Sequence, residues 1–185
     1  LIFFISYIFY TKGFSLDLNL VSWTFLGIGL LLSNSAIHYV KLVNNAATIQ
    51  TSLFQMTTQK DLNKIFQINV FSQVLFSQYI LKLMTRNKNG GSIVFVSSTA
   101  ALDANQGRNA YSSSKAALIS QSKVLSRELG AKNIRVNSIA PGITDTEMLK
   151  KNTPENLLKK VKESTSLDRI ARPEEIANVI LFLSS

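Results

Sequence analysis

From residue 39 onward, apolar and polar positions follow two alternating patterns. Three short runs rich in β-branched residues are apolar at nearly every position, which predicts strands buried on both faces of a sheet. Between and after them, apolar residues recur at helical spacing. The strands are predicted at 39–43, 92–98 and 134–140, and the helices at 58–86, 110–130 and 172–185. This order predicts an α/β fold with one parallel sheet and crossover helices.

Residues 1–41 do not share this regularity. Two apolar blocks, 1–10 and 21–32, flank a more polar stretch, and each is shorter than the ~20 residues that span a bilayer. No basic start precedes the first block, so a signal peptide is not predicted. An interrupted membrane anchor and a segment that is not native to the protein remain alternatives, and a membrane partner is not expected. We therefore separate an atypical apolar segment, 1–41, from a single domain over 42–185.

Composition narrows the function classes. The chain has 185 residues, 46% of them hydrophobic and 17% charged, which is typical of a folded domain. It contains no cysteine, which excludes disulfides and thiolate zinc sites and suits a reducing, cytoplasmic location. The net charge of +9 is scattered along the chain, so no nucleic-acid partner is predicted. A single histidine, His38, excludes a Ser-His-Asp triad and multi-histidine metal sites.

A tyrosine and a lysine are placed for acid–base chemistry. Tyr111 and Lys115 are four residues apart in a predicted helix, so they share one helix face. A phenol has an ordinary pKa near ~10, and a nearby cation favours its ionised form. Such a pair alone is a weak signal, because chance matches are common.

Other polar residues fall where the predicted strands end. Ser98 ends the second strand, Asn44 and Asn45 end the first, and Pro141 follows the third. The carboxyl ends of parallel strands meet at one edge of a sheet, where doubly wound folds bind ligands. Asn69 lies inside a predicted helix, where asparagine is unfavourable and needs a reason.

Together these residues resemble the short-chain dehydrogenase/reductase family over about residues 40–185. The tyrosine and lysine match the family's Y-x-x-x-K motif, and Ser98 precedes Tyr111 by thirteen residues, the family's usual spacing. The family's N-N-A-G motif reads Asn44-Asn45-Ala46-Ala47 here. The remaining matches are Asn69, the Pro141-Gly142 turn and Thr146.

The resemblance implies a Rossmann-like doubly wound parallel sheet and an NAD(P)-dependent oxidoreductase that acts on a carbonyl or a secondary alcohol. Tyr111 would move the proton, and Ser98 would bind the substrate oxygen. Lys115 would bind the ribose hydroxyls and lower the tyrosine pKa, while Asn69 would hold a water. The implied cofactor-binding residues are Asn45, Ala46, Tyr111, Lys115, Pro141, Gly142 and Thr146. Neither NAD nor NADP is favoured.

The substrate and the assembly are less constrained. A 3-oxoacyl group on a carrier protein is the first expectation, and a sugar or polyol is the alternative. Polar residues between Ser98 and Tyr111, among them Arg108, indicate a polar substrate. The lysines over 147–172 favour a solvated helix, and contact with a phosphorylated carrier is the alternative. In the family, the helices at 58–86 and 110–130 build a tetramer interface, so a homodimer or homotetramer is expected of the intact protein.

The sequence also departs from the family pattern. A glycine-rich turn is expected about seventy residues before N-N-A-G, but forty-three residues precede Asn44 here, and Gly27 and Gly29 lack the motif's context. The resemblance therefore covers strands 4–6 of the family fold with their helices. We expect an unpaired edge beside 40–44, with cover by the N-terminal apolar segment as the less favoured alternative, and weak cofactor binding and impaired turnover. The alternatives are a non-catalytic fragment that acts only through oligomer contacts and a membrane-tethered reductase.

Overall fold

The computed structural model describes residues 2–3, 40–103, 105–152, 158 and 161–185. Within these residues, four parallel strands form one sheet in chain order, with each strand beside the next. The strands are β1 (Ile2–Phe3), β2 (Val40–Asn44), β3 (Gly91–Val96) and β4 (Ile134–Ile139). The predicted parallel α/β fold is confirmed, although β3 ends two residues earlier than its apolar run.

The helices follow the predicted spacing. They are α1 (Gln59–Phe66), α2 (Ser72–Met84), α3 (Asn109–Leu129), α4 (Glu147–Asn152) and α5 (Pro173–Ser184). A π-helical turn, Gln67–Phe71, joins α1 to α2, so the predicted helix over 58–86 is one rod with a local irregularity. Short 3₁₀ turns occur at Phe54–Met56, Thr99–Ala101 and Gly130–Lys132.

Helices cover both faces of the sheet. On one face, Leu42, Ile93 and Phe95 pack with Met84 of α2 and Leu118 of α3 in the main apolar core. On the other face lies α5, where the Ser92 hydroxyl donates to the Leu183 carbonyl at 3.1 Å. Cover on both faces is why the strands are apolar at nearly every position.

The free edge expected beside β2 is partly paired. Ile2 and Phe3 lie opposite Lys41 and Leu42 in a parallel register. Isoleucine and phenylalanine suit strands, and the pairing satisfies backbone groups that would otherwise need water. The expectation of an unpaired edge is therefore wrong at these two positions.

The other predictions for the N-terminal segment lie outside the described residues. They concern the membrane anchor, Gly27, Gly29 and His38. In the part of the chain that the structure describes, no helix is both long enough and apolar enough to cross a membrane. The cytoplasmic location stays a prediction.

Candidate active site

The end of β3 and the start of α3 bring Ser98 and Tyr111 together. Ser98 follows β3 by two residues and caps a 3₁₀ turn, where its hydroxyl oxygen accepts the Ala100 N–H at 3.2 Å. Tyr111 lies in the first turn of α3. The Ser98 hydroxyl lies near enough to the Tyr111 phenol to lower its pKa. Two hydroxyls thus meet at the carboxyl edge of the sheet.

Lys115 is held one helical turn further along α3. Its side chain is only 2% exposed, and its ammonium donates to the Val96 carbonyl at 2.7 Å. The ammonium nitrogen lies 5.9 Å from the centre of the Tyr111 ring. The Ser97 hydroxyl donates to the Lys115 carbonyl at 2.7 Å, which fixes the backbone. Burial lowers the pKa of Lys115 to about 8, because the charged form loses hydration.

The pKa of Tyr111 moves in the opposite direction to that implied by the resemblance. Burial raises this pKa above its ordinary value, while the nearby Ser98 hydroxyl and the charge of Arg108 partly offset the increase. The physical reason is that the phenol has lost water, and the Lys115 ammonium donates to a backbone carbonyl. Tyr111 is therefore protonated at neutral pH, the form in which a phenol can donate a proton.

A line of hydrogen bonds ties the segment after β2 to the helical rod. Three buried polar residues of the rod contact every second residue of the segment Asn44–Thr48, which we call the laced segment. The contacts are Asn44 Nδ2 to Ser77 Oγ (2.9 Å), Gln73 Nε2 to the Ala46 carbonyl (2.6 Å) and Asn69 to Thr48.

Asn69 makes the connection nearest the catalytic candidates. Its side-chain oxygen accepts the Thr48 N–H at 2.8 Å, and its amide nitrogen donates to the Thr48 carbonyl at 2.9 Å. The same nitrogen donates to Ser114 Oγ at 3.0 Å, which joins the laced segment to α3 beside Lys115. Asn69 is fully buried in the π-helical turn. The geometry gives it a positioning role, and its water-holding role stays a prediction.

The remaining cofactor-binding candidates differ in exposure and in hydrogen bonding. The Pro141 carbonyl accepts the Thr99 N–H at 3.0 Å, so the end of β4 lies beside Ser98. Asn45 and Gly142 are exposed. Thr146 instead caps α4, where its hydroxyl oxygen accepts the Leu149 N–H at 3.3 Å.

These residues suit a nicotinamide nucleotide. An ammonium has three donors, and among the described residues that of Lys115 makes one hydrogen bond, which leaves two for ribose hydroxyls. The backbone at Asn45 and Gly142 offers polar groups at the edge where doubly wound sheets bind nucleotides.

The sequence carried a signal for part of this positioning network. Asn69, Gln73 and Ser77 recur at every fourth residue of a largely apolar helical stretch, so a line of polar residues on one helix face could have been found. Ser97 and Ser114 carried no such signal, because each lies in a run of serines and nothing distinguishes it from its neighbours.

Comparisons with known proteins agree with this geometry. A family model described as enoyl-(acyl carrier protein) reductase matches residues 37–185. The chain is 37% identical over 144 residues to the 3-oxoacyl-[acyl-carrier-protein] reductase of Thermotoga maritima, which covers 78% of this chain and 58% of that protein. It is 39% identical over 144 residues to a 3alpha-hydroxysteroid dehydrogenase of Mediterraneibacter gnavus, with 78% and 57% covered.

A solved structure extends the similarity to three dimensions. The structure of 4-hydroxyisoleucine dehydrogenase complexed with NADH superposes with a TM-score of 0.76 at 29% identity, covering 88% of this chain and 67% of that one. The fold is thus the Rossmann-type fold of this dehydrogenase. The chain belongs to the short-chain dehydrogenase/reductase family. It spans less than two-thirds of the length of the two curated relatives.

Proposed function

We propose that this chain carries the catalytic part of an NAD(P)-dependent oxidoreductase that transfers a hydride between the cofactor and a carbonyl or secondary alcohol. The observation that carries the proposal is the placement of Tyr111 near the Ser98 hydroxyl, with the Lys115 ammonium 5.9 Å from the centre of the Tyr111 ring. The names of the relatives, reductase and dehydrogenase, support the same chemistry.

The described side chains divide the chemistry between them. The nicotinamide cofactor supplies or accepts the hydride when it is bound. Ser98 donates a hydrogen bond to the substrate oxygen, where negative charge develops, and Tyr111 gives that oxygen its proton. Lys115, with a pKa of about 8, is mostly charged at neutral pH and stabilises the phenolate that proton transfer leaves behind. In the oxidative direction, the phenolate takes the proton of the alcohol.

A turnover assay tests the proposal. The full chain is supplied with NADH or NADPH and methyl acetoacetate, and the loss of nicotinamide absorbance is followed. Removal of a general acid typically costs about 100-fold or more in rate, so Tyr111→Phe should lose at least that factor. Tyr79→Phe removes a half-exposed hydroxyl from α2 and should leave the rate unchanged.

Two results would count against the proposal. Unchanged turnover in the Tyr111→Phe variant would remove the tyrosine from the chemistry. A folded chain that neither binds cofactor nor turns over would favour the alternative of a non-catalytic family member. Slow wild-type turnover is expected, because cofactor binding is predicted to be weak.

The preferred substrate class is a 3-oxoacyl group on a carrier, and a sugar or polyol is the alternative. The name of the Thermotoga relative and the lysines over 147–172 support the first choice. An acetoacetyl thioester and a pentulose, supplied at equal concentration, separate the two. A higher kcat/KM for the thioester is expected, and a higher value for the pentulose would reverse the choice.

We also propose that the protein is a homodimer or homotetramer through the helical rod. Phe71, Leu75 and Tyr79 recur at every fourth residue on the rod and are 49%, 51% and 52% exposed. Val124 adds an exposed apolar residue on α3. Apolar stripes of this kind mark contact surfaces more often than isolated apolar residues do. Light scattering should show an oligomer that Leu75→Glu dissociates and Leu167→Glu, at another exposed leucine, does not.

A further inference from the structure

The face of α3 that carries Tyr111 and Lys115 also carries Arg108 and Ser112. Arg108 immediately precedes α3, and Tyr111, Ser112 and Lys115 follow it by three, four and seven residues. This spacing places the four residues along one side of the helix. The Ser52 N–H donates to the Gly107 carbonyl at 3.0 Å, in a short parallel bridge that fixes the backbone of Arg108.

Two polar atoms on this face lack the partners that buried polar groups require. Nη1 of Arg108 and Oγ of Ser112 are buried, and neither has a hydrogen-bond partner among the described residues. A buried donor without a partner is unfavourable, and such atoms are rare in folded proteins. The positive charge of Arg108 lies near enough to Tyr111 to lower its pKa. By helical spacing, Arg108 and Ser112 thus share the side of α3 that carries Tyr111.

Two other arginines have hydrogen-bond acceptors for their guanidinium groups. Arg169 donates to both carboxylate oxygens of Glu175, at 2.7 and 2.8 Å. Arg135 donates to the backbone carbonyls of Leu183 and Ser185, at 2.8 and 2.6 Å. Nη1 of Arg108 has no comparable acceptor in the part of the chain that the structure describes.

We propose that Arg108 and Ser112 form an oxyanion-binding subsite, which holds a carboxylate or phosphate group of the substrate whose carbonyl lies at Tyr111. A guanidinium is a planar fork that matches two oxygens of either group, and a serine hydroxyl can donate to a third. Arg108 is then a specificity-determining residue that favours oxo acids or oxo phosphates over neutral ketones. This inference rests on the proposed function, because it assumes a carbonyl substrate at Tyr111.

Two matched pairs of ligands test the subsite without requiring turnover. Acetoacetate is compared with methyl acetoacetate, and dihydroxyacetone phosphate with dihydroxyacetone. Dissociation constants are measured by NMR titration of the full chain without cofactor. Hydrogen bonds to charged groups are worth roughly 10- to 100-fold in affinity, so at least one anion should bind about tenfold more tightly than its neutral partner. The pair that shows the preference identifies the carboxylate or the phosphate as the group bound.

The variants separate the subsite from general charge. Arg108→Gln should abolish the preference for the anion and leave the affinity for the neutral ligands unchanged. Arg108→Lys should keep part of the preference, because the positive charge remains although the planar guanidinium is lost. Ser112→Ala should lose a smaller, roughly threefold share. Arg127→Gln removes the same charge from an exposed position on α3 and should change nothing. If Arg108→Gln fails to fold, the lysine and alanine variants decide.

Equal affinity for charged and neutral ligands in the wild type would overturn the inference. An equal loss in Arg127→Gln and Arg108→Gln would do the same, because it would show only long-range attraction. The proposed function can fail separately. If the chain prefers anions but shows no redox turnover with NAD(P)H or NAD(P)+, the subsite is supported and the proposed function is not. If it turns over but binds charged and neutral ligands equally, the proposed function is supported and the subsite is not.

Discussion

Replacement of Lys115 by methionine should make the protein more stable at neutral pH while it impairs function. Lys115 is 2% exposed, and burial lowers its pKa from 10.5 to about 8. At 1.36 kcal/mol for each tenfold change in proton affinity, keeping the lysine charged costs about 3 kcal/mol. Methionine removes this cost but loses a charge-assisted hydrogen bond to the Val96 carbonyl, worth about 2 kcal/mol. The net expected gain is about 1 kcal/mol at pH 7.

The stabilising effect of Lys115→Met should depend on pH. Between pH 8 and 10.5, the lysine is protonated in the unfolded chain and increasingly neutral in the folded one. The unfolded state binds more protons over this range, so the stability of the wild type rises with pH there. Below pH 8 both states are protonated and the penalty is constant. The advantage of the Lys115→Met variant should therefore be flat below pH 8 and shrink above it.

Urea denaturation from pH 6 to pH 10.5 measures both effects. Lys123→Met, at an exposed position on α3, is the control and should stay within about 0.5 kcal/mol of the wild type. A Lys115→Met variant that is less stable than the wild type at pH 7 would refute the reasoning. An advantage that does not change above pH 8 would show that the lysine is not a buried cation.

Two further substitutions test the local structure. Asn69→Leu removes the three hydrogen bonds of a fully buried side chain and should destabilise the chain by about 3 kcal/mol or more. Ser77→Ala removes one hydrogen bond and should cost about 1 kcal/mol. Urea denaturation of both variants measures the difference, and equal losses would contradict the positioning role of Asn69. Gly90 has a φ of +74°, and an added Cβ would lie 1.8 Å from the Asn133 carbonyl oxygen, so Gly90→Ala should cost more than about 2 kcal/mol by thermal melting. Gly130→Ala meets no atom within 4 Å and should be neutral, so similar losses at both glycines would count against this packing.

The parts of the site that depend on regular geometry could be predicted from sequence. Tyr111 and Lys115 share a face because a spacing of four residues fixes that relation in any helix. Ser98 and Pro141 meet because the carboxyl ends of parallel strands lie at one edge. Apolar spacing alone also located the rod and the three longer strands.

Features set by long-range packing could not be predicted in the same way. The upward shift of the Tyr111 pKa depends on burial and on the hydrogen bond from Lys115 to the Val96 carbonyl. Neither can be predicted from the spacing of Tyr111 and Lys115. The pairing of Ile2 and Phe3 with β2 joins positions far apart in the chain. The π-helical turn at Asn69 had only a weak signal, an asparagine of poor helix propensity inside an apolar helix.

The claim that this edge of the sheet is a nicotinamide site is tested most directly by titrating the purified chain with NADH and NADPH. Nicotinamide fluorescence is recorded for the wild type, Lys115→Met and Lys123→Met. We predict weak but saturable binding that Lys115→Met reduces by about tenfold or more and Lys123→Met leaves intact, because we propose the ammonium of Lys115 as the donor for the ribose hydroxyls. Binding of equal strength in Lys115→Met and the wild type would contradict the assignment.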